Sequence, residues 1–217
     1  MYCGSRGKGL RMAKRTIGYM LLGVGIALGA CSQNFSEKEP VIAMAERGFK
    51  PLAGAAVQKN EQQTLGPFSG VAPEGWLVQK PSSSMRLAQF GLPGSAGEAT
   101  LGIFYFGPGQ GGGIEANIER WYGQFTQQDG SSTKERARRW SKKVGDIEVS
   151  MVDISGTFSG GMGSAEAKEG YRMLGAIASH RTGAVFFKLT GPVGTVARWQ
   201  QSFDQYLDSL TARDDEI

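Results

Sequence analysis

Cysteine and histidine are almost missing from this sequence, and each scarcity removes a class of chemistry. Both cysteines, Cys3 and Cys31, lie within the first 31 of 217 residues, so nothing after them can build a disulfide or a zinc thiolate site. His180 is the only histidine. It stands in Ser179-His180-Arg181-Thr182-Gly183, which reads as the tip of a hairpin between two apolar strands. Ser179 cannot serve it as a triad partner, because neighbours on a strand point to opposite faces. No catalytic residue, metal or cofactor is therefore expected, and the chain reads as a non-enzyme. Acidic residues are missing from one stretch only: Arg6, Lys8, Arg11, Lys14 and Arg15 precede residue 31, and no Asp or Glu does. Taking those five from 24 basic residues leaves 19 against 20 acidic ones, so the rest is near neutral. A nucleic-acid partner loses its main support, since a positive field is what drives that binding.

Long apolar runs are also lacking. The uncharged stretch from Ile17 to Ala30 has 14 residues. As a helix it covers about 21 Å, short of the roughly 30 Å hydrocarbon core of a bilayer. Basic residues ending at Lys14 and Arg15, then this apolar run, then Cys31, make the layout of an export signal, with Met12 an alternative start to Met1. Leu28-Gly29-Ala30-Cys31 resembles the lipobox of bacterial lipoproteins. The resemblance implies cleavage between Ala30 and Cys31 and acylation of the Cys31 thiol. Each buried methylene contributes about 0.8 kcal/mol, so two or more chains hold a protein stably on a membrane. Ser32 follows the cysteine where Asp is the inner-membrane retention signal in Gram-negative lipoproteins, so an outer-membrane protein facing the periplasm is expected.

The chain then divides into a signal peptide at 1–30, a lipidated N-terminus and mobile tether at 31–63, one domain at 64–212 and an acidic tail at 213–217. The tether reading rests on Lys38-Glu39-Pro40 and the polar run Gln58 to Gln63, which show no sustained period. Within the domain, Trp76 to Val78, Met85 to Phe90 and Ala99 to Phe106 read as strands, and Leu101, Ile103 and Tyr105 share one face of the last. A helix is expected from Ile114 to about Gln128, since Ile114, Ile118, Trp121, Tyr122 and Phe125 recur at steps of three and four. Thr133 to Val144 reads as an exposed basic strand with Trp140 as its apolar anchor. Ile147 to Phe158, Tyr171 to Ser179 and Ala184 to Thr190 follow as strands, with Gly160 to Ser164 as loop. A final helix runs from Val193 to Leu210, its stripe carried by Val196, Trp199, Phe203 and Leu207. Short turns between strands predict an α+β fold with an antiparallel sheet packed by helices.

Ala72-Pro73-Glu74-Gly75-Trp76, Asn117-Ile118-Glu119-Arg120-Trp121 and Phe187-Lys188-Leu189-Thr190-Gly191-Pro192 ahead of a helix ending Leu207-Asp208-Ser209-Leu210 give a pattern that resembles the PsbP and DcrB-like group. That resemblance covers about residues 65 to 210. It implies an α/β/α sandwich and a non-enzymatic, extracytoplasmic adaptor or assembly role.

Two segments are candidates for contact. Gly107-Pro108-Gly109-Gln110-Gly111-Gly112 fits G-x-G-x-x-G through Gly107, Gly109 and Gly112, after a strand and before a helix. Amides at such a place can meet an anion, but no strand and helix alternation follows, so a structural loop is the favoured reading. Lys134 to Lys143 holds six cations, among them Arg136, Arg138, Arg139, Lys142 and Lys143. It is either a solvated edge strand, where Lys and Arg prevent edge-to-edge association, or a patch for anionic lipid or an acidic partner. Two functional classes remain. One is a lipid-anchored adaptor for an envelope protein, with the oligomeric state open. The other is a binder of a small ligand or anion, with a pocket between sheet and helix lined by Trp121, Tyr105 or Phe104.

Overall fold

Glycine turns and alternating apolar residues cut the chain into short antiparallel elements. The computed structural model describes residues 61–160, 166–181 and 183–213, together with the backbone of 56–57. Ala30, Cys31 and most of the expected tether lie outside the described residues, as does the greater part of the Gly160 to Ser164 loop. Strands β1 (Ala56–Val57), β2 (Gln62–Leu65), β3 (Phe68–Val71), β4 (Leu77–Gln79), β5 (Arg86–Leu92) and β6 (Ala99–Tyr105) precede helix α1 (Ile114–Tyr122). Then come β7 (Phe125–Thr126), the one-turn α2 (Thr133–Arg136), β8 (Arg138–Val144), β9 (Ile147–Phe158), β10 (Lys168–His180), β11 (Gly183–Pro192), α3 (Val193–Asp208) and β12 (Thr211–Ala212). The expected boundary at residue 64 falls inside β2, and β1 already pairs with β4 in the stretch read as tether.

Among the described residues, nine strands form the main sheet in the order β1-β4-β5-β6-β11-β10-β9-β7, with β8 paired to β9 alongside β7. Every pairing is antiparallel. A second sheet of three strands, β12-β3-β2, was not foreseen. Its strands are two to four residues long and carry Gln, Ser, Thr and Gly, so they show no alternation to read.

Alternation decides which face each side chain takes. On one face Leu101, Ile103, Val149, Met151, Leu174, Ala176, Val185 and Phe187 meet Val196, Phe203, Tyr206 and Leu207 of α3, with Leu65 and Phe68 from the small sheet. Burying an aliphatic or aromatic side chain of this kind contributes roughly 1.5–3 kcal/mol, so this cluster carries most of the fold. On the other face Ile118, Trp121 and Tyr122 of α1 close over Val152, Ile154, Met173, Ile177 and Phe186. The fold is α+β, as expected, but it is dominated by its sheet. The expected layered sandwich is incomplete because α1 has only nine residues and cannot cover its face.

Two elements differ from the expectation. The helix foreseen to about Gln128 stops at Tyr122, where Gly123 caps it. Phe125 extends the helical spacing by coincidence, since it is buried in the same cluster from strand β7. The strand foreseen from Thr133 begins instead with the turn of α2, and pairing starts at Arg138. Among the described residues, no helix is long and apolar enough to cross a membrane.

Candidate functional site

Because α1 is short, the β4-β5-β6 part of its face carries polar residues. Register places Gln79 opposite Gln89, Gln89 opposite Gly102, Gly102 opposite Lys188, and Lys188 opposite Gly175. Lys188 thus projects from β11 between two glycines on the strands either side, at the margin of α1. Packing requires the glycine at 175 and leaves little room for a side chain at 102. A Cβ at Gly175 would lie 2.5 Å from the Trp121 ring, and one at Gly102 would lie 3.1 Å from Phe104 and 3.5 Å from Arg86 Nε.

The ammonium of Lys188 donates to Gln124 Oε1 at 2.7 Å and lies 6.0 Å from the centroid of Trp121. Arg86 lies over Phe104 at 5.7 Å and donates from Nη1 to Gln89 Oε1 at 2.6 Å. Gln89 donates to Gln79, which donates to Glu98, so a chain of amides fixes Arg86 from behind. Arg120 is tied to Asn117 Oδ1. Among the described residues, no carboxylate pairs with Lys188, Arg86 or Arg120. Burial pushes the Lys188 ammonium down to about 8, helped by the positive charges of Arg86 and Arg120. Burial likewise holds the Arg86 guanidinium below its ordinary value.

The basic segment is the electrostatic opposite. Lys134 meets Glu119 at 2.6 Å, Arg136 pairs with Asp129, and Arg138 lies 3.4 Å from Asp153. Arg139 grips Glu115 through two N–H groups at 2.8 and 2.6 Å, and Lys142 meets Asp208 at 2.7 Å. Lys143 stands opposite Glu148 in the β8–β9 register. The Arg139 hydrogen bonds hold the Glu115 carboxyl below its usual range, and the Glu119 contact raises Lys134. From β10, Arg172 donates to both oxygens of Asp153 at 2.8 and 2.9 Å and to Gln200 of α3 at 2.8 Å. Trp140 is half-buried against the α3-side core, with the Arg138 guanidinium 5.4 Å from its ring.

The glycine loop takes its shape from its own backbone. Gly107, Gly109, Gly111 and Gly112 all have positive φ, and a Cβ at Gly111 would lie 2.7 Å from Phe186. Asn117 Nδ2 donates to the carbonyls of Gly111 and Gly113, which anchors the loop to α1. The preceding strand β6 has antiparallel neighbours on both sides, so the strand-helix-strand crossover of a dinucleotide site is lacking. His180 closes the β10–β11 hairpin and meets Phe68 edge to face at 6.5 Å. Of the aromatics weighed as pocket lining, Trp121 stands beside Lys188 and Phe104 lies under Arg86, whereas Tyr105 packs against the α3-side core. Two shallow depressions open to solvent, one along Gln200, Gln201, Asp204 and Gln205 of α3 and one beside Arg138 and Asp153. Among the described residues, no group of three His, Cys, Asp or Glu side chains converges as a metal site.

Lys188 escaped the sequence reading as a site residue because a lysine alternating with buried residues looks like an ordinary strand position. Its pairing with two glycines is information that only register supplies.

No family model matches the chain, and no curated protein matches it. Among solved structures it is similar to a Bacteroides thetaiotaomicron protein at 15% identity, over 73% of this chain and 51% of that one, with a TM-score of 0.43. The chain spans about half the length of that protein. A Pseudomonas aeruginosa protein of unknown function is similar at 15% identity, over 70% of this chain and 96% of that one, with a TM-score of 0.42. Cyanobacterial PsbP (CyanoP) from Synechocystis is similar at 12% identity, over 76% of this chain and 98% of that one, with a TM-score of 0.43.

Proposed function

We propose that this is an exported, lipid-anchored envelope protein whose PsbP-like domain acts as a non-enzymatic adaptor or assembly factor facing the periplasm. The anchor rests on the leader: a basic start, an apolar run too short to span, and Leu28-Gly29-Ala30-Cys31 at its end. Ser32 favours the outer membrane. Once Cys31 is acylated, membrane attachment needs no apolar surface on the domain.

The observation that carries the adaptor reading is the packing of the sheet. Large side chains fill the α3 side, and Trp121, Tyr122 and Phe186 close the space under α1. Polar chemistry is left to outer surfaces, where an adaptor makes its contacts. The one observation that favours the alternative, a small-ligand or anion-binding lipoprotein, is the uncompensated charge at Lys188.

Membrane fractionation of wild type and Cys31→Ala tests the anchor. The wild type is expected in the membrane and the variant in the soluble fraction; equal membrane retention of both contradicts the reading. In-envelope photocrosslinking from Lys143 on β8 and from Gln201 on α3 tests the adaptor role. A discrete protein adduct from one surface is expected, and uncrosslinked chain at both positions counts against it.

A further inference from the structure

Positive side chains repel one another and lose hydration when buried, so a group of them without acids needs a compensating charge. Lys188 and the half-buried Arg86 are such a pair, and Arg120, itself exposed, adds its charge from α1. The strand positions beside Lys188 carry no side chains of their own, and aromatic rings and amides fix the groups around it. Gly102 and Gly175 remove the side chains that would stand next to Lys188 across the sheet. Trp121 is held over Gly175, and Phe104 lies under the Arg86 guanidinium. The amide chain through Gln89 and Gln79 ends on Glu98, which accepts from Gln79 rather than from a cation.

The geometry points to an oxyanion-binding site at this corner, where the Lys188 ammonium and the Arg86 guanidinium receive a phosphate or carboxylate group of a small ligand between Phe104 and Trp121. Lys188 engages one N–H on Gln124, and Arg86 engages Nη1 on Gln89, which leaves donors on both. An ammonium beside a guanidinium suits an oxyanion well. The first supplies a compact charge and the second a planar fork that matches carboxylate or phosphate geometry. Arg120 adds to the local potential from α1. The glycine loop takes no part, since its amides belong to the far end of that helix, where Glu115 sits in the first turn. The site does not depend on the lipid anchor or on the adaptor role, so it stands or falls separately from them.

The test is an NMR titration of the lysine side-chain resonances of the full chain in detergent micelles, with inorganic phosphate and with acetate, against sodium chloride of equal ionic strength. A saturable change at Lys188 with phosphate or acetate, and none with chloride, is expected. The anion that saturates at lower concentration identifies which oxyanion the site prefers. Arg86→Gln is expected to weaken the response roughly tenfold, the loss of one charge-assisted hydrogen bond, and Arg86→Lys to recover part of it. The backbone amide spectrum of each variant shows that the fold is kept. No saturable response at Lys188 to either oxyanion overturns the site, as does a response that Arg86→Gln leaves unchanged.

Discussion

On strand β11 Lys188 meets an amide and an indole ring and feels the positive charges of Arg86 and Arg120, while on strand β8 Arg139 lies 2.6 Å from Glu115 and Lys142 lies 2.7 Å from Asp208. The two regions use the same residue types in opposite settings. Six cations in ten residues make the basic segment prominent in the sequence, yet five of them pair with acids and the sixth faces one in register. Exposed pairs of this kind contribute little to stability and are weakened by salt. A lone lysine in an apolar stretch attracts no notice, yet its charge is uncompensated. Local potential follows from what stands opposite a charge across the sheet, and counting charges along the chain does not reveal it.

The largest effect is expected where the paired region becomes buried. Arg172 and Asp153 expose only 13% and 12% of their side chains, so Arg172→Ala leaves a carboxylate short of its main partner. A loss of about 3 kcal/mol in urea unfolding is expected, near the low end for a broken buried pair because Arg138 also reaches Asp153. A loss below about 1 kcal/mol would place this pair with the exposed ones.

Gly175→Ala comes next. The added methyl would stand 2.5 Å from the Trp121 ring, so either the ring or the strand must move. A cost of about 2 kcal/mol in urea unfolding is expected, as for other overpacked interiors. An unchanged unfolding midpoint would mean that Trp121 is not fixed above the sheet, and with it the wall beside Lys188.

Lys188→Met acts in the opposite direction. The folded chain holds this ammonium at about 8, below the roughly 10.4 of an unfolded lysine. Below pH 8 both states are protonated and the full cost of burying the charge is present. Between the two values the folded state releases its proton while the unfolded state keeps it, so wild-type stability rises with pH. The methionine variant is therefore expected to be more stable at neutral pH, by about 1 kcal/mol, with the advantage shrinking as pH rises toward the unfolded value. A variant less stable than wild type at pH 7 in phosphate-free buffer would contradict an uncompensated charge.

The smallest effect is expected at the edge itself. Arg139→Gln should leave the urea midpoint unchanged within measurement error in moderate salt. A clear loss that salt does not reduce would mean that the Arg139–Glu115 pair is structural.

Much of the fold was legible. Ile147 to Phe158 matches β9 at both ends, and the hairpin closed by His180 and the final helix from Val193 lie where alternation and helical spacing put them. Long elements with one buried face announce themselves. The β12-β3-β2 sheet did not, because Phe68-Ser69-Gly70-Val71 is too short and too polar to alternate, and its role is set by Leu65 and Phe68 joining the cluster that holds Tyr206 and Leu210. Of the candidate contacts, the acids that neutralise the basic segment are dispersed from Glu115 to Asp208 along the chain, so pairing could not be read from the segment alone. The Lys188 corner was still less visible. It needs Arg86, Gly102, Gln124, Gly175 and Lys188 brought together from three neighbouring strands, a fourth beside them and the turn after α1.

The contrast between the two regions is tested most directly by following each lysine side chain through an alkaline NMR titration in phosphate-free buffer. Lys188 is predicted to lose its proton at about 8, while Lys134, held by Glu119, stays charged above the ordinary lysine value. A Lys188 that titrates at the ordinary lysine value, about 10.4, would contradict the account.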